Sequence, residues 1–497
     1  RMNRAVLIRA CHGVAHHLLR DPAARERGVA VGYDARHMSQ AFADDAVSVF
    51  VAAGFRVLRF AEPGPTPLLA FAVTHLGAAA GVMITASHNP AAYNGLKIYG
   101  ANGAQIVPPE DADIARAIAA APPANAVPLA HRDSVGDGDE IGSDVEDAYL
   151  RGLSAMVRPP SASLSIVYTP LHGVGQRLAQ KAFARAGFDH VVAVAEQVDP
   201  NPDFPTTPFP NPEEVGTLDL ALAHARERGA DLVIAHDPDA DRLAIAVPDG
   251  GAGHVQLTGN QVGVLLGHYL LTRRSDARPR AAIATIVSSP MLGAIARSLG
   301  AHYEETLTGF KWIAARAIAL DREGIALALG YEEALGYAVG DLVRDKDGIG
   351  AGLIFAELAA DCRARGTTVL AYLEQLYRQY GLFASAQRTI ALIGGSGASL
   401  MKRLRESPLD RIGGRAVLAW RDYAPGYGAL PPSDVLACDL EGETRVVVRP
   451  SGTEPKLKCY VDHREPLGDH ETLADAEDRA RREMARIGDD LVAMFRG

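Results

Sequence analysis

Short apolar runs alternate with amphipathic stretches along most of the chain. Continuous apolar runs of this length are typical of buried strands, and they occupy residues 29–32, 55–60, 81–84, 164–168, 231–235, 282–287 and 326–329. Stretches with helical spacing lie between them, at residues 41–53, 68–76, 176–186, 218–228, 291–298 and 349–363. Strands that alternate with helices predict an α/β protein whose sheets are mostly parallel and covered by helices.

The end of the chain has a different pattern. Two apolar runs, 445–448 and 457–461, follow each other closely, and a strongly charged helix is predicted over residues 471–495. This mixture predicts a smaller α+β unit after the alternating region. We therefore expect four domains, at residues 1–157, 158–275, 276–383 and 384–497.

Composition and charge narrow the class of protein. The 497 residues suffice for three or four domains, and 48% apolar with 6% aromatic residues is ordinary for a globular α/β chain. A net charge of −10 argues against a nucleic-acid partner, which would need a basic surface. The four cysteines lie far apart without a CxxC pair, which favours free thiols in a reducing compartment such as the cytoplasm. No run of 18 apolar residues predicts a membrane span.

A serine follows the apolar run 81–84. The next six residues are small, hydroxyl-bearing or turn-forming, and Pro90 disfavours helix at the residue before it. We therefore expect a sharp loop with Ser87 at its tip, at the strand end where α/β sheets bind ligands. His88 and Lys97 add a proton carrier and a cation nearby in sequence. On these residues alone, an ordinary polar loop with a helix-capping serine is the alternative.

Three carboxylates follow another predicted strand at alternate positions, Asp237, Asp239 and Asp241. They would repel one another unless a cation lies between them, and ligation by oxygen alone suits Mg²⁺ or Ca²⁺. The loop does not match an EF-hand, because Arg242 occupies the position that requires glycine and Pro248 the position that requires glutamate. A solvated acidic turn is the alternative, but the strand before it is predicted to be buried.

The third unit carries a pair of glutamates, Glu332 and Glu333, beside glycines at a strand end. Carboxylates can accept hydrogen bonds from the neighbouring hydroxyls of a sugar. The turn at residues 308–313 places Lys311 beside a glycine. This pattern is weak by itself, and a surface acidic loop explains it equally well.

A turn between the last two predicted strands has a cation at each end, Arg449 and Lys456. Arginine can bind two phosphate oxygens at once, and the hydroxyls of Ser451 and Thr453 with the backbone N–H groups around Gly452 can add donors. Each charge-assisted hydrogen bond is worth about 1.5–3 kcal/mol. The turn could therefore hold a phosphate group despite the negative net charge, and an ordinary β-turn with charged flanks is the alternative.

Each of the four units thus has one chemically distinctive loop, and together these loops could form a phosphoryl-transfer site. The chain resembles the α-D-phosphohexomutase superfamily over about residues 29–461, with all motifs in the family order. The motifs are TASHNP (85–90), NGLKIY (94–99), DPDADR (237–242), GYEEALGY (330–337) and RPSGTEPK (449–456). GYEEALGY with TGFKWI is most similar to the branch of bacterial phosphoglucomutase/phosphomannomutases and animal phosphopentomutase-like enzymes.

The resemblance implies a heart-shaped molecule, in which three similar α/β domains with mixed sheets and a smaller α+β C-terminal domain surround a cleft. It identifies Ser87 as the phosphoserine, and His88, Lys97 and Arg242 as further catalytic residues. It also implies three groups of binding residues: Ser87, Asp237, Asp239 and Asp241 for Mg²⁺; Thr308, Gly309, Lys311 and Glu332 for the sugar; and Arg449, Ser451, Gly452, Thr453 and Lys456 for the phosphate that is not transferred.

The implied activity moves a phosphoryl group between C1 and C6 of a glucose or mannose phosphate, through phosphoserine and a bisphosphate intermediate. Mg²⁺ is the implied cofactor, and glucose 1,6-bisphosphate or a matching bisphosphate is the implied activator. A phosphopentomutase acting between C1 and C5 of ribose or deoxyribose phosphate is the first alternative. A Mg²⁺-dependent sugar phosphatase and a catalytically silent sugar-phosphate-binding protein are alternatives of other classes. We expect no nucleic-acid or membrane partner, and a monomer or homodimer in the cytoplasm.

Two features differ from the usual pattern of the family. Ala334 stands where the sugar loop usually has a serine, so one contact to a sugar hydroxyl is expected to be lost and the hexose preference is open. The family also has an arginine-containing loop before its first helix. This chain starts with Arg1 before Met2, and its first apolar residues have the pattern of a helix interior. We therefore expect the natural protein to continue further upstream.

Overall fold

The computed structural model describes residues 2–130, 140–273, 278–391, 397–450, 456–468 and 470–496. Within these residues the strands form four sheets, which follow one another along the chain. Three sheets mix parallel and antiparallel neighbours, and the fourth is antiparallel throughout.

The first sheet has the order β4-β3-β1-β2-β5, where its strands are β1 (Val29–Tyr33), β2 (Val57–Phe60), β3 (Ala80–Ile84), β4 (Leu96–Gly100) and β5 (Glu140–Ile141). The helices around it are α1 (Arg4–Leu18), α2 (Ala24–Arg27), α3 (Ser39–Ala52), α4 (Thr66–His75), α5 (Glu110–Ala120) and α6 (Ser143–Met156). β1 and β3 are apolar and buried along their whole length, as expected for strands covered on both faces. Asn3 caps α1 by accepting a hydrogen bond from Val6 N at 3.0 Å. The first apolar residues therefore lie in the first turn of a capped helix and not in a helix interior.

The second sheet has the order β10-β9-β8-β6-β7, where its strands are β6 (Ile166–Thr169), β7 (Val191–Ala193), β8 (Leu232–Ala235), β9 (Ala244–Pro248) and β10 (His254–Gln256). Its helices are α7 (Gln176–Arg185) and α8 (Asp219–Arg228). The next helix, α9 (Gly259–Thr272), starts with a capping box: Thr258 Oγ1 accepts from Gln261 N at 3.2 Å, and Gln261 Oε1 accepts from Thr258 N at 2.9 Å. α9 leads into the third sheet.

The third sheet has the order β12-β11-β13-β14, where its strands are β11 (Arg280–Thr285), β12 (His302–Thr306), β13 (Ala326–Glu332) and β14 (Gly336–Val339). Its helices are α10 (Met291–Ser298), α11 (Phe310–Arg322), α12 (Gly348–Ala364) and α13 (Val369–Tyr380). Sequence spacing ends the strand at residue 329, but β13 continues to Glu332 and pairs with β14. The cause is the pair Tyr331 and Tyr337, which lie opposite each other in register and stack with their ring centroids 6.3 Å apart.

α9 also packs on the third sheet. An added Cβ at Gly263 in α9 would lie 2.5 Å from the ring of Tyr331, so a glycine is needed where the helix crosses β13. α12 is buried along nearly its whole length and contacts elements of the second and third sheets. One continuous apolar core therefore extends from the first domain through the third.

The last sheet has the order β15-β20-β19-β18-β17-β16, where its strands are β15 (Leu382–Ala391), β16 (Arg411–Ile412), β17 (Arg415–Asp422), β18 (Leu436–Leu440), β19 (Thr444–Pro450) and β20 (Lys456–Glu465). Its helices are α14 (Gly397–Glu406) and α15 (Leu473–Arg496). Arg445 joins this domain to the third, because its Nη1 donates to Glu305 Oε1 at 2.7 Å and its Nη2 to Ser288 O at 2.7 Å. Among the helices of the described ranges, none is long and apolar enough to cross a membrane.

Candidate active site

The serine loop follows β3 directly. Ser87 has a φ of +50°, in the left-handed region that residues other than glycine rarely adopt. Its backbone N–H donates to Thr85 Oγ1 at 2.8 Å. Ser87 Oγ faces the second domain and donates to Asp237 Oδ2 at 2.7 Å. The predicted sharp loop after a buried strand is confirmed, and it brings the serine to the acidic loop.

The acidic loop follows β8, and the side chains of Asp237, Asp239 and Asp241 are completely buried. One carboxylate oxygen from each can be chosen so that all three lie within 4.8 Å of one another. Asp239 Oδ1 and Asp241 Oδ1 have no hydrogen-bond partner in the described part of the chain. Because unpaired buried oxygens are costly, these atoms fit a hard divalent cation, which prefers oxygen ligands.

The other oxygens of the triad are held by two lysines and a hydroxyl. Lys97 Nζ, on β4, donates to Asp239 Oδ2 at 2.7 Å and to Asp241 Oδ2 at 2.6 Å. Lys346 Nζ, from the loop before α12, lies 2.9 Å from Asp241 Oδ2. Thr66 Oγ1, at the start of α4, donates to Asp239 Oδ2 at 2.5 Å. Side chains from the first three domains thus form one charged network.

These contacts determine which groups are ionised. Burial, and then the neighbours Asp241 and Asp239, raise the pKa of Asp237 to about 8. Burial also opposes ionisation of Asp241, but Lys346 and Lys97 outweigh it and hold that pKa well below the usual range. Burial would lower the pKa of Lys97, but Asp239 and Asp241 raise it far above its ordinary value. Lys97 therefore remains protonated between two carboxylates.

His88 and Arg242 lie beside the serine. His88 Nδ1 is 3.2 Å from Ser87 Oγ, and His88 Nε2 is 3.4 Å from Arg242 Nη2. Burial, and then the charge of Arg242, lower the pKa of His88 to about 3, so the ring is neutral at pH 7. Arg242 Nη1 pairs with Glu213 Oε2 at 3.2 Å, whereas its Nε is buried without a hydrogen-bond partner among the described residues. A guanidinium with an unused donor can hold a phosphoryl oxygen near the serine.

The glutamate pair lies at the end of β13. Glu332 Oε1 accepts a hydrogen bond from Gly309 N at 2.7 Å, which places the carboxylate beside the turn that also contains Thr308. Burial raises the pKa of Glu332. Burial, and then the charge of Glu332, raise the pKa of Glu333 to about 7. The structure thus brings together three of the four residues predicted to bind the sugar.

Lys311, the fourth of these residues, contacts another domain. Its Nζ lies 3.3 Å from Asp111 Oδ2 of α5 and 5.3 Å from the ring centroid of Trp312. In this geometry Lys311 joins the first and third domains. Its contact with a sugar stays a prediction.

The cations of the phosphate-binding turn lie on adjacent antiparallel strands, Arg449 on β19 and Lys456 at the start of β20. Arg449 Nη2 donates to Tyr460 OH at 3.1 Å, and the guanidinium lies 5.7 Å from the centroid of that ring. Arg449 Nε is buried without a hydrogen-bond partner in the part of the chain that the structure describes. The other predicted members of this turn lie outside the described residues: Ser451, Gly452 and Thr453.

Sequence reasoning missed several residues of the network. Thr66 and Lys346 lie in the turns GPTP and DKDG, which carry no recognisable chemistry in one dimension. Glu213 follows a proline-rich stretch, and its partner Arg242 is 29 residues away. The available signal was a polar residue just after a strand or just before a buried helix, the same signal that singled out Ser87.

A serine loop, a buried acidic triad and a sheet with flanking cations, each on its own α/β or α+β domain, define a phosphosugar mutase. Family models of the phosphoglucomutase/phosphomannomutase family match residues 1–124, 147–251 and 258–380 as its alpha/beta/alpha domains I, II and III, and residues 432–480 as its C-terminal domain. The chain belongs to this family. It has the heart-shaped four-domain fold, as predicted, and is an enzyme that transfers phosphate intramolecularly.

Relatives with different names match nearly the whole chain. A protein of Haemophilus influenzae named "Probable phosphomannomutase" is 38% identical over 487 residues, which are 97% of this chain and 97% of the relative. A "Probable phosphoribomutase" of Schizosaccharomyces pombe is also 38% identical, over 93% of this chain and 84% of its own length. The crystal structure of a protein described as a phosphomannomutase from Thermus thermophilus aligns with a TM-score of 0.69 at 25% identity, covering 97% of this chain and 95% of its own.

Proposed function

We propose that the protein moves a phosphoryl group between C1 and C6 of a hexose phosphate, with glucose or mannose as the sugar, through a phosphoserine on Ser87. The observation that carries this proposal is the 2.7 Å contact between Ser87 Oγ and Asp237, beside two buried carboxylate oxygens without partners in the described residues. Asp237, Asp239 and Asp241 would hold Mg²⁺, which when bound supplies positive charge to the transferring phosphoryl group.

The chain's own residues supply the rest of the chemistry. Arg242 binds phosphoryl oxygens through its unused Nε and stabilises the developing charge. His88 accepts the proton of the attacking hydroxyl: a phosphoryl group on Arg242 offsets the second cause that lowers the pKa of His88, so that pKa rises when substrate binds. Lys97 is held protonated by Asp239 and Asp241, and we assign it to charge balance and not to base catalysis.

The phosphoryl group must return to the same serine from the other end of the sugar. We propose that Glu332 binds sugar hydroxyls while the turn at residues 449–456 grips whichever phosphate is not reacting. Arg449 supports this role because Tyr460 holds one nitrogen, whereas Nε has no partner among the described residues. A bisphosphate that turns around within the cleft then offers its second phosphate to Ser87. Glucose 1,6-bisphosphate, or the bisphosphate of the preferred sugar, would phosphorylate the enzyme directly.

A phosphopentomutase is the second candidate. Ala334 lacks the hydroxyl that the family's sugar loop usually offers, and one of the relatives at 38% identity is named for ribose. Either reaction would take place in the cytoplasm, which the four buried free cysteines favour.

The test measures phosphate on Ser87 and turnover of sugars in parallel. Purified protein with Mg²⁺ is incubated with glucose 1,6-bisphosphate, and intact mass with peptide mapping locates the added group. Glucose, mannose and ribose 1-phosphates are then compared as substrates. We expect one phosphoryl group on Ser87 and a hexose preference; a ribose preference would support the second candidate.

Two variants control this experiment. Ser87→Ala should remove both phosphorylation and turnover, whereas Ser154→Ala, which removes a hydroxyl bonded to its own helix at Leu150 O, should change neither. Release of inorganic phosphate without isomerisation would support a phosphatase. Ligand binding without any phosphate on Ser87 would support a silent binding protein. Either result would overturn the mutase proposal.

A further inference from the structure

The guanidinium of Arg36 lies beneath the serine loop and binds its backbone. Arg36 Nη2 donates to the carbonyl oxygen of Ser87 at 2.6 Å and also to that of Asn89. Arg36 Nη1 donates to the carbonyl oxygens of Pro90 at 3.0 Å and Tyr93 at 3.3 Å. One side chain thus holds four carbonyl groups of a single loop.

Arg36 is itself fixed from several sides. Its side chain is 1% exposed, and Nε lies 3.4 Å from Asp34 Oδ2. Asp34 Oδ1 accepts from Arg36 N at 3.0 Å and from Ser39 Oγ at 2.5 Å. The ring of Phe204, from the second domain, covers the guanidinium at 4.9 Å. Arg36 is therefore held rigidly on the side of the loop that faces away from solvent.

We propose that Arg36 is a positioning residue for phosphoryl transfer, which rests on the proposed role of Ser87 as the phosphoserine. The left-handed φ of Ser87 turns its carbonyl toward Arg36 while Oγ faces Asp237. Because this backbone conformation is unfavourable for serine, a partner must hold it. Arg36 is that partner, and it aims the hydroxyl at the acidic triad without touching substrate.

Only an arginine fits this role. Its planar guanidinium offers five N–H donors in a fixed fork, whereas a lysine has three donors on a single nitrogen. A lysine at position 36 keeps the charge beside Asp34 but cannot span carbonyls from Ser87 to Tyr93. Arg36→Lys therefore separates the geometric role from the charge.

The experiment compares Arg36→Lys with Arg273→Lys. Arg273 is also mostly buried, with 11% of its side chain exposed, and pairs with Glu357 Oε2 at 3.1 Å away from the serine loop. For each variant, the rate of phosphorylation of Ser87 by excess glucose 1,6-bisphosphate is measured by quenched flow and mass spectrometry. kcat and KM are measured with the best sugar 1-phosphate, at a temperature where circular dichroism shows every variant folded.

We expect Arg36→Lys to slow phosphorylation of Ser87 and kcat at least tenfold, with KM within twofold, because the proposed sugar contacts lie on other domains. Arg273→Lys should leave the phosphorylation rate within twofold at a similar loss of Tm. If Arg36→Lys does not fold, Phe204→Leu carries the test, and it should slow phosphorylation at least threefold with unchanged KM.

Equal phosphorylation rates in Arg36→Lys, or in Phe204→Leu where that variant carries the test, and the wild type would overturn the positioning role while leaving the mutase proposal intact. A fall in kcat matched by a rise in KM would also overturn it, since this would indicate damage to substrate binding. If the wild type itself takes no phosphate on Ser87, both proposals fail.

Discussion

The stability of the third domain should depend on pH through Glu333. Its carboxyl group is packed at the end of β13 beside Glu332, and burial followed by that neighbouring charge raises its pKa from 4.5 to about 7. Oε2 accepts from Ser288 Oγ at 3.1 Å and Thr285 Oγ1 at 3.2 Å, but neither hydroxyl carries the charge that ionisation would need. Glu333 is therefore more easily protonated in the folded protein than in the unfolded chain.

The sign and size of the effect follow from linkage. Below pH 4.5 Glu333 is protonated in both states and has no effect. Between about pH 4.5 and 7 the unfolded chain has released its proton while the folded protein keeps it, so the free energy of unfolding falls as the pH rises. A shift from 4.5 to about 7 corresponds to roughly 3 kcal/mol at 1.36 kcal/mol for each pH unit. Because the residue is partly exposed, we expect about 1–3 kcal/mol above pH 7.

Glu333→Gln should remove this dependence, because glutamine stays neutral and can still accept from the two hydroxyls. The variant should match the wild type near pH 4.5 and exceed it by about 1–3 kcal/mol at pH 8. Urea unfolding at several pH values, in a Trp420→Phe background, makes Trp312 of α11 the single tryptophan reporter for this domain.

Glu227→Gln is the matched control, since it makes the same change at an exposed position of α8. It should leave the pH dependence of the wild type unchanged. A Glu333→Gln curve that runs parallel to the wild type from pH 5 to 8 would refute the reasoning, because it would mean that Glu333 ionises at the same pH in both states.

Three other substitutions test contacts elsewhere in the molecule. Thr66→Val removes the hydroxyl that holds Asp239 and should weaken Mg²⁺ binding about 10- to 100-fold by isothermal titration calorimetry; equal affinity would contradict this. Gly263→Ala places a carbon 2.5 Å from the Tyr331 ring and should lower the free energy of unfolding by about 1–3 kcal/mol in urea titrations; an unchanged midpoint would show that the ring yields freely. Arg445→Met leaves its acidic partners unpaired at a cost of about 3–5 kcal/mol, and small-angle X-ray scattering should report a larger radius of gyration; an unchanged curve would argue against a role in domain closure.

The parts of the fold that sequence predicts well are those determined locally. The apolar run 81–84 and the turn residues after it are sufficient to predict β3 and the serine loop, because burial on both faces selects continuous apolar residues. The run 326–329 is too short by three residues, since the register of β13 depends on Tyr337 across a hairpin. Pairing partners of this kind are not visible in a single segment.

The same distinction applies to the site. Three aspartates at alternate positions predict a cation from their mutual repulsion alone, and the structure places all three together. Arg36 and Lys346 are ordinary charged residues in sequence. Their roles depend on contacts with segments 51–57 and 105 residues away, which only the folded chain brings together.

The charged network around Asp241 has a consequence for how the protein is made. Ribosomes release the chain from its N-terminus, and domains generally fold in that order. Lys97 and the acidic triad emerge first, so the first two domains can dock with one lysine shared between Asp239 and Asp241. Lys346 arrives about a hundred residues later and completes the charge balance. A nascent chain that stalls between these points would carry a half-neutralised buried site, which makes it a natural substrate for chaperones.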